Sequence, residues 1–139
     1  MGHKSIQKNI IPAIHSFNSY KAEKAIQVLI ENIDSIPDVQ NWARKANISR
    51  GWLCKTMKTT FGKLPNKIIR EVRYEKIVQL MDNNVEATSY SIARESGLTS
   101  GDALRMFLTR HRDTNFRKLR KKILTGDLEM KWMWLENPE

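Results

Sequence analysis

The chain has 139 residues, with 24 Lys and Arg side chains against 15 Asp and Glu, which gives a formal net charge of +9. Hydrophobic residues make up 40% of it, enough for the core of one folded domain and too many for a disordered chain. No apolar run approaches the roughly 20 residues of a membrane span, and no signal-peptide hydrophobic block begins the chain. We therefore expect a cytoplasmic protein that stays off the membrane.

Metal and catalytic chemistry are not expected. Cys54 is the only cysteine, and the three histidines lack ligand spacing, so neither an internal disulfide nor a metal site is predicted, and no cofactor. No paired acid and base, nucleophile with an orienting histidine or phosphate-binding glycine loop is present. The sequence predicts a protein that is not an enzyme.

The positive charge is concentrated in two blocks. Residues 50–76 hold eight basic and two acidic side chains, a net of +6, and residues 105–122 hold eight basic and one acidic, a net of +7. The rest of the chain has eight basic and twelve acidic side chains, a net of −4. Two basic segments on a mildly acidic chain are typical of a nucleic-acid binder, although two solvated helix faces would give the same pattern.

The first half reads as a helix followed by a helix-turn-helix. Apolar residues at helical spacing predict a helix over about 20–34, and Asp38 is a good N-cap for a short helix after it. Asn47 tolerates the left-handed conformation of a tight turn, and Ser49 caps a further helix that reaches about Phe61.

A long helix connects the two halves. Pro65 suits its first position, and it extends to about Asp82. Its apolar residues lie on one side before Arg73 and on the opposite side after it. A helix that changes its buried face halfway is expected to join two subdomains.

The second half repeats the pattern of the first about 50 residues later. Gly97 makes the turn, Thr99 or Ser100 caps the following helix, and a last helix runs from about Asn115 to Leu124. The fold class is therefore all-α, with about seven helices in which two helix-turn-helix subdomains are joined by a long linker helix. The expected division is an N-terminal extension at 1–19, the first subdomain at 20–63, the linker helix at 64–83, the second subdomain at 84–125 and a Trp-rich tail at 126–139.

The second helix of each pair is the candidate DNA reader, because a helix-turn-helix lays that helix in the major groove. A helical wheel places Lys55 on the outer face of the first, beside Cys54, and Arg105 on the outer face of the second, beside Met106. Both cations suit guanine O6 and N7, whereas Asp102 either accepts from cytosine N4 or complements the helix dipole. The basic side chains predicted to contact phosphates are Arg50, Lys58, Lys63, Lys67, Arg70, Arg73, Arg110, Arg112, Arg117 and Lys118.

A family resemblance covers most of the chain, from about 22 to 124. The first module reads ARKANISRGWLCKTMKTTFG over 43–62, followed by Pro65 and by REVRYEKI over 70–77. The second reads SIARESGLTSGDAL over 91–104. These segments resemble the DNA-binding domain of AraC/XylS-type bacterial transcription regulators.

The resemblance implies that one chain, acting as a monomer, enters two successive major-groove segments of double-stranded DNA. It further implies a nucleoid-associated activator with RNA polymerase as a candidate partner, in a stand-alone form without an effector domain. The chain departs from the family after the second recognition helix, where Asp113, Phe116 and Leu119-Arg120 stand in place of the usual Gly, Pro and Tyr-Arg. The family's base-reading positions fall on Gly51, Cys54, Lys55, Gly101, Asp102, Arg105 and Met106.

The Trp-rich tail has two open interpretations. Trp132 and Trp134 either dock back onto the domain, against the helix that begins near Tyr20, or form a surface for a protein partner. Two alternatives to a sequence-specific regulator also stay open. One is an architectural or mobile-element DNA-binding protein with little sequence preference, and the other is an adaptor that recruits a protein through the tail.

Overall fold

The computed structural model describes residues 16–135, with side chains from residue 19 onward, and within them every regular element is a helix. The all-α prediction is therefore confirmed, while residues 1–15 and 136–139 lie outside the described part. Helix α1 begins four residues before the boundary predicted at residue 20. The elements are α1 (Ser16–Glu31), a 3-10 turn (Ile33–Ser35), α2 (Val39–Lys45), α3 (Arg50–Phe61), α4 (Pro65–Asn83), α5 (Ser89–Glu95), α6 (Gly101–Arg112) and α7 (Phe116–Thr125).

The two helix-turn-helix turns are built alike. In the first, the backbone N–H of Ile48 donates to the carbonyl of Ala43 at 3.0 Å, across Asn47 at a φ of 60°. In the second, the N–H of Leu98 donates to the carbonyl of Ala93 at 2.8 Å, and a glycine holds the positive φ of 91°. The same five-residue bond thus recurs 50 residues later, as the repeat in the sequence predicts.

Serine N-caps start both second helices of these pairs. The hydroxyl oxygen of Ser49 accepts from the N–H of Trp52 at 3.0 Å, and that of Ser100 accepts from the N–H of Ala103 at 3.1 Å. Each cap satisfies one of the free N–H groups that a helix leaves at its start. Of the two candidate caps for the second helix, Ser100 is the one used, and Thr99 is exposed.

Two hydrophobic cores share helix α4. The first core joins α1, α2 and α3 to Ile68, Ile69 and Val72, and the second joins α5, α6 and α7 to Ile77 and Met81. In the first, Trp42 is fully buried, and its indole N–H donates to the carbonyl of Ala25 in α1 at 2.8 Å. The predicted change of buried face along this helix is confirmed, because its first half belongs to one core and its second half to the other.

Arg73 lies at the point where the buried face changes and ties the two subdomains together. Its side chain is only 6% exposed. Its Nε donates to the carbonyl of Ser96 at 2.9 Å, and its Nη2 donates to the carbonyl of Ile36 at 2.6 Å. The prediction that Arg73 contacts DNA phosphate is wrong, because burial and these two carbonyls occupy the guanidinium.

The tail packs along α4 on another flank of that helix. Glu75 is 3% exposed, and its carboxylate accepts from the backbone N–H groups of Met133, Trp134 and Leu135 at 2.9 to 3.0 Å. Trp134 also packs edge-on against Phe61, with ring centroids 5.4 Å apart. The tail docks, as one interpretation predicts, and its hydrogen bonds go to α4 rather than to the helix that contains Tyr20.

Within residues 16–135, no helix combines the length and apolar character that crossing a membrane requires. Over the same stretch, no group of three or more His, Cys, Asp and Glu side chains is placed to hold a metal ion.

Candidate nucleic-acid interface

Helix α3 presents a small, basic outer face. Leu53 and Met57 are fully buried, which turns Gly51 and Lys55 outward and leaves Cys54 half-buried between them. A Cβ added at Gly51 would meet nothing within 4 Å, so the surface there is open. None of the ion pairs among the described residues involves Lys55. Its ammonium group is therefore free to donate to an acceptor outside the chain.

The outer face of helix α6 carries longer side chains. Asp102, Arg105 and Met106 are exposed, while Leu104 and Leu108 on the opposite side are fully buried. Nη2 of Arg105 lies 3.7 Å from Oδ1 of Asp102, one turn earlier, and both side chains are mostly solvent-exposed. An exposed pair of this kind contributes only about 0–1 kcal/mol, so the guanidinium can leave it for a better acceptor.

Gly101, the remaining predicted base-contact position, is half-buried at the start of α6. A Cβ added there would lie 3.2 Å from the hydroxyl oxygen of Ser89. That distance is tighter than ordinary van der Waals contact, so the absence of a side chain at this position also serves the packing of α5 on α6.

A basic cleft joins the two basic blocks of the sequence. Side chains from α4 and from the end of α6 line a space of about 320 Å³, and only one of them is acidic. The guanidinium of Arg112 is held over the ring of Tyr74, 4.0 Å from its centroid. The residues that line the cleft are Lys67, Arg70, Glu71, Arg110, His111 and Arg112.

His111 lies among the positive charges of this cleft. Burial lowers the pKa of its imidazole, and the positive charges of Arg70, Arg110 and Arg112 lower that pKa further. Its ring packs edge-on against Phe107, with centroids 5.1 Å apart, and the residue as a whole is exposed. Several cations thus act on one position, which is the arrangement that attracts an anion.

Most of the other predicted phosphate contacts lie on the surface. Lys63 differs, because its ammonium is held 2.9 Å from Oε1 of Glu71 and 5.3 Å from the centroid of the Trp134 ring. Arg73 is excluded by its burial, and Arg70 is half-buried. The exposed members of the set are Arg50, Lys58, Lys67, Arg110, Arg112, Arg117 and Lys118.

Two acidic residues of α4 have roles that the sequence analysis missed. Glu71 accepts from the indole N–H of Trp134 at 3.0 Å, and Glu75 receives the three backbone N–H groups of the tail. In the sequence both stand as the two acids of the first basic block. The local pattern of α4 does not indicate either role, because the partners lie 58 to 63 residues further along the chain.

Two helix-turn-helix modules on one connecting helix, each with a second helix whose outer face is exposed, define a two-module helix-turn-helix fold. The chain has the fold of AraC-type DNA-binding domains. No protein-family model and no curated protein matches the sequence.

Two solved structures carry the comparison. One is a transcriptional regulator, described as an AraC-type DNA-binding domain-containing protein, from Chromobacterium violaceum, with a TM-score of 0.65 and 21% identity over 78% of this chain and 96% of that one. The other is the C-terminal domain of AraT, a response regulator from Geobacillus stearothermophilus, with a TM-score of 0.66 and 14% identity over 94% of this chain and 96% of that one. At these identities the likeness establishes the fold.

Proposed function

We propose that the chain is a sequence-specific transcription regulator, an activator, that binds double-stranded DNA through α3 and α6. The observation that carries the proposal is that these two helices start from equivalent turns and serine caps and present exposed polar faces with Lys55 and Arg105. The likeness to AraC-type domains supports the same conclusion. The protein acts as a monomer on DNA in the bacterial cytoplasm, at the nucleoid, without a cofactor or catalysis, and RNA polymerase is its candidate partner.

The readout follows from the chemistry of the outer faces. Arg105 donates two hydrogen bonds to guanine O6 and N7, and Lys55 donates to the same acceptors in the other groove segment. Met106 is 48% exposed and offers an apolar contact to a thymine methyl group. Gly51 and Cys54 are small, which allows α3 to approach the base edges closely.

Phosphate contacts set affinity and register. The exposed basic residues flank both recognition helices, and the cleft holds Arg110 and Arg112 near Lys67. Such contacts carry no sequence information, but they fix how the protein lies on the duplex. Because each neutralised phosphate releases counterions, the logarithm of the affinity falls by about 0.9 per phosphate for each decade of salt.

The decisive experiment selects bound sequences from random duplex DNA and then compares variants on the selected site. On the selected site, Arg105→Ala is expected to weaken the binding free energy by about 1–3 kcal/mol. On duplexes in which the one or two base pairs read by Arg105 are already mutated, the same substitution should have little effect. Arg117→Ala, the matched control, is expected to weaken binding on every duplex and to reduce the salt slope. If Arg105→Ala weakens binding equally on all sequences, the architectural alternative is correct instead.

The adaptor alternative is disfavoured by the position of the tail. Trp134 packs against the first core and Trp132 against the second, both half-buried. The two rings that were candidates for a partner surface are thus used within the fold. If the affinity for DNA does not change with salt concentration, every DNA-binding interpretation is wrong.

A further inference from the structure

The relative orientation of the two modules depends on few direct contacts. Helix α4 belongs to both cores, and on one flank Arg73 bonds to Ile36 of the first module and Ser96 of the second. Gly97 of the second module also lies against the carbonyl of Ile33 in the first, beside Arg73, so these direct contacts lie together on one flank of α4. The opposite flank of α4 is therefore important for holding them in place.

Residues 128–135 occupy that flank and contact both modules. Leu128, Met130 and Trp132 pack against the second core, and Trp134 packs against the first, on Phe61. On a helical wheel, positions 73 and 75 of α4 lie about 160° apart, because each residue turns the helix by about 100°. The segment and Arg73 therefore hold the helix from nearly opposite sides.

Glu75 is the anchor of this segment. Oε1 accepts from the N–H groups of Trp134 and Leu135 at 3.0 and 2.9 Å, and Oε2 accepts from the N–H of Met133 at 2.9 Å. Hydrogen bonds to a charged acceptor are stronger than neutral ones, and three consecutive N–H groups have no equivalent acceptor if the carboxylate is removed. Burial raises the pKa of Glu75, and the three N–H groups act in the opposite direction by stabilising the carboxylate.

We infer that residues 128–135 form a strap, anchored at Glu75, that fixes the orientation of α3 relative to α6 and so determines which spacing between two DNA half-sites the chain accepts. The consequence for DNA rests on the proposed function. Adding one base pair moves the second half-site by about 3.4 Å and turns it by about 34°, so two recognition helices held rigidly cannot reach both sites.

The orientation itself is tested without DNA. Cys54 on α3 is the only cysteine, and Thr109→Cys adds a second on the exposed face of α6, so spin labels at both report the distance between the recognition helices. Glu75→Leu removes both acceptor oxygens while keeping a good helix former, and Glu86→Leu makes the same substitution at an exposed position outside the strap. A broader distance distribution for Glu75→Leu than for Glu86→Leu is expected. Equal widths would overturn the strap.

Two further variants separate the strap from general destabilisation. Glu75→Gln keeps the shape and one acceptor oxygen, so its distribution is expected to lie between those of the parent and Glu75→Leu. Trp134→Ala removes the contact of the strap with Phe61 and is expected to broaden the distance distribution as well. If Glu75→Leu loses its helical circular dichroism, Trp134→Ala takes its place in the comparison.

The consequence for DNA is tested with unlabelled protein on the selected site and on duplexes that carry one base pair more or fewer between the half-sites. The parent and Glu86→Leu are expected to lose about tenfold or more in affinity on the altered spacings. Glu75→Leu is expected to lose less than they do. If all three lose equally while the distances differ, spacing is set elsewhere and the inference fails. If no sequence is selected at all, the proposed function fails, and the distance measurement still decides whether the strap exists.

Discussion

Gly97 lies against the backbone carbonyl of Ile33, so close that a Cβ at residue 97 would overlap the carbonyl oxygen. The turn of the second helix-turn-helix thereby packs on the 3-10 turn of the first module. The backbone of Gly97 also has a φ of 91°, a conformation that L side chains rarely adopt. One residue thus meets both a steric and a conformational requirement at the junction of the modules.

Gly97→Ala is expected to lower the free energy of unfolding by about 3 kcal/mol or more, because strain in the backbone adds to displacement of the Ile33 carbonyl. Gly126→Ala is the matched control, since Gly126 has a φ of 75° but nothing within 4 Å of its added Cβ. It should cost only the conformational strain of about 1–2 kcal/mol. Urea denaturation of both variants measures the difference, and equal losses would show that the contact with Ile33 is unimportant.

Arg73→Leu is expected to reduce stability by about 2 kcal/mol, because the carbonyls of Ser96 and Ile36 lose a charged donor. The salt dependence of DNA binding should stay unchanged, since the guanidinium is buried and reaches no phosphate. Arg110→Leu should behave in the opposite way, with little change in stability and a shallower salt slope. A shallower slope for Arg73→Leu would contradict the position of Arg73 described above.

The pKa of His111 is expected to lie below its ordinary value of 6.5, because burial and three nearby arginines disfavour the imidazolium. In the range between the lowered pKa and 6.5, the unfolded chain binds more protons than the native one, so the free energy of unfolding rises with pH. This contribution is complete above pH 6.5 and is lost as pH falls through the lowered pKa. His111→Gln should therefore show a flatter dependence of stability on pH in that range.

NMR titration of the His111 ring measures the pKa directly. Binding of duplex DNA should raise it, because phosphates drawn to Arg110 and Arg112 offset the positive charge around the imidazole. An unchanged pKa in the complex would place the phosphates away from the cleft.

Ser100→Ala is expected to cost about 1 kcal/mol of stability, since the hydroxyl oxygen that accepts from the N–H of Ala103 is lost. Thr99→Ala at the neighbouring exposed position should change stability by less than about 0.5 kcal/mol. Thermal unfolding followed by circular dichroism distinguishes the two variants. Equal effects would mean that the cap contributes nothing at this helix.

Local features of the fold could be predicted because their causes are local. Asn47 and Gly97 mark the turns, Ser49 and Ser100 mark the helix starts, and each acts on a neighbour within a few residues along the chain. The change of buried face in α4 was visible for the same reason, since the spacing of its apolar residues records which side each half buries.

Long-range contacts could not be predicted in the same way. Arg73 falls near Lys67 and Arg70 on a helical wheel, but the loop at Ile36 and the turn at Ser96 cover that side of the helix and give it two carbonyls. Glu75 accepts hydrogen bonds from backbone N–H groups 58 to 60 residues further along the chain, and no residue spacing within α4 indicates them. At the candidate interface, the helical spacing of apolar residues predicts which side chains of α3 and α6 are exposed. The convergence of Lys67 and Arg70 with Arg112 in one cleft depends on tertiary packing and could not be predicted.

The order of the strap along the chain has a consequence for biosynthesis. Residues 128–135 follow both modules, so they leave the ribosome only after the second module is complete. At about 5–20 residues per second, translating the ten residues from 126 to 135 takes roughly 0.5–2 s. During that interval nothing occupies the strap's flank of α4, and the carboxylate of Glu75 is open to water. Docking of residues 128–135 thus ends a brief period in which the newly made modules lack their strap.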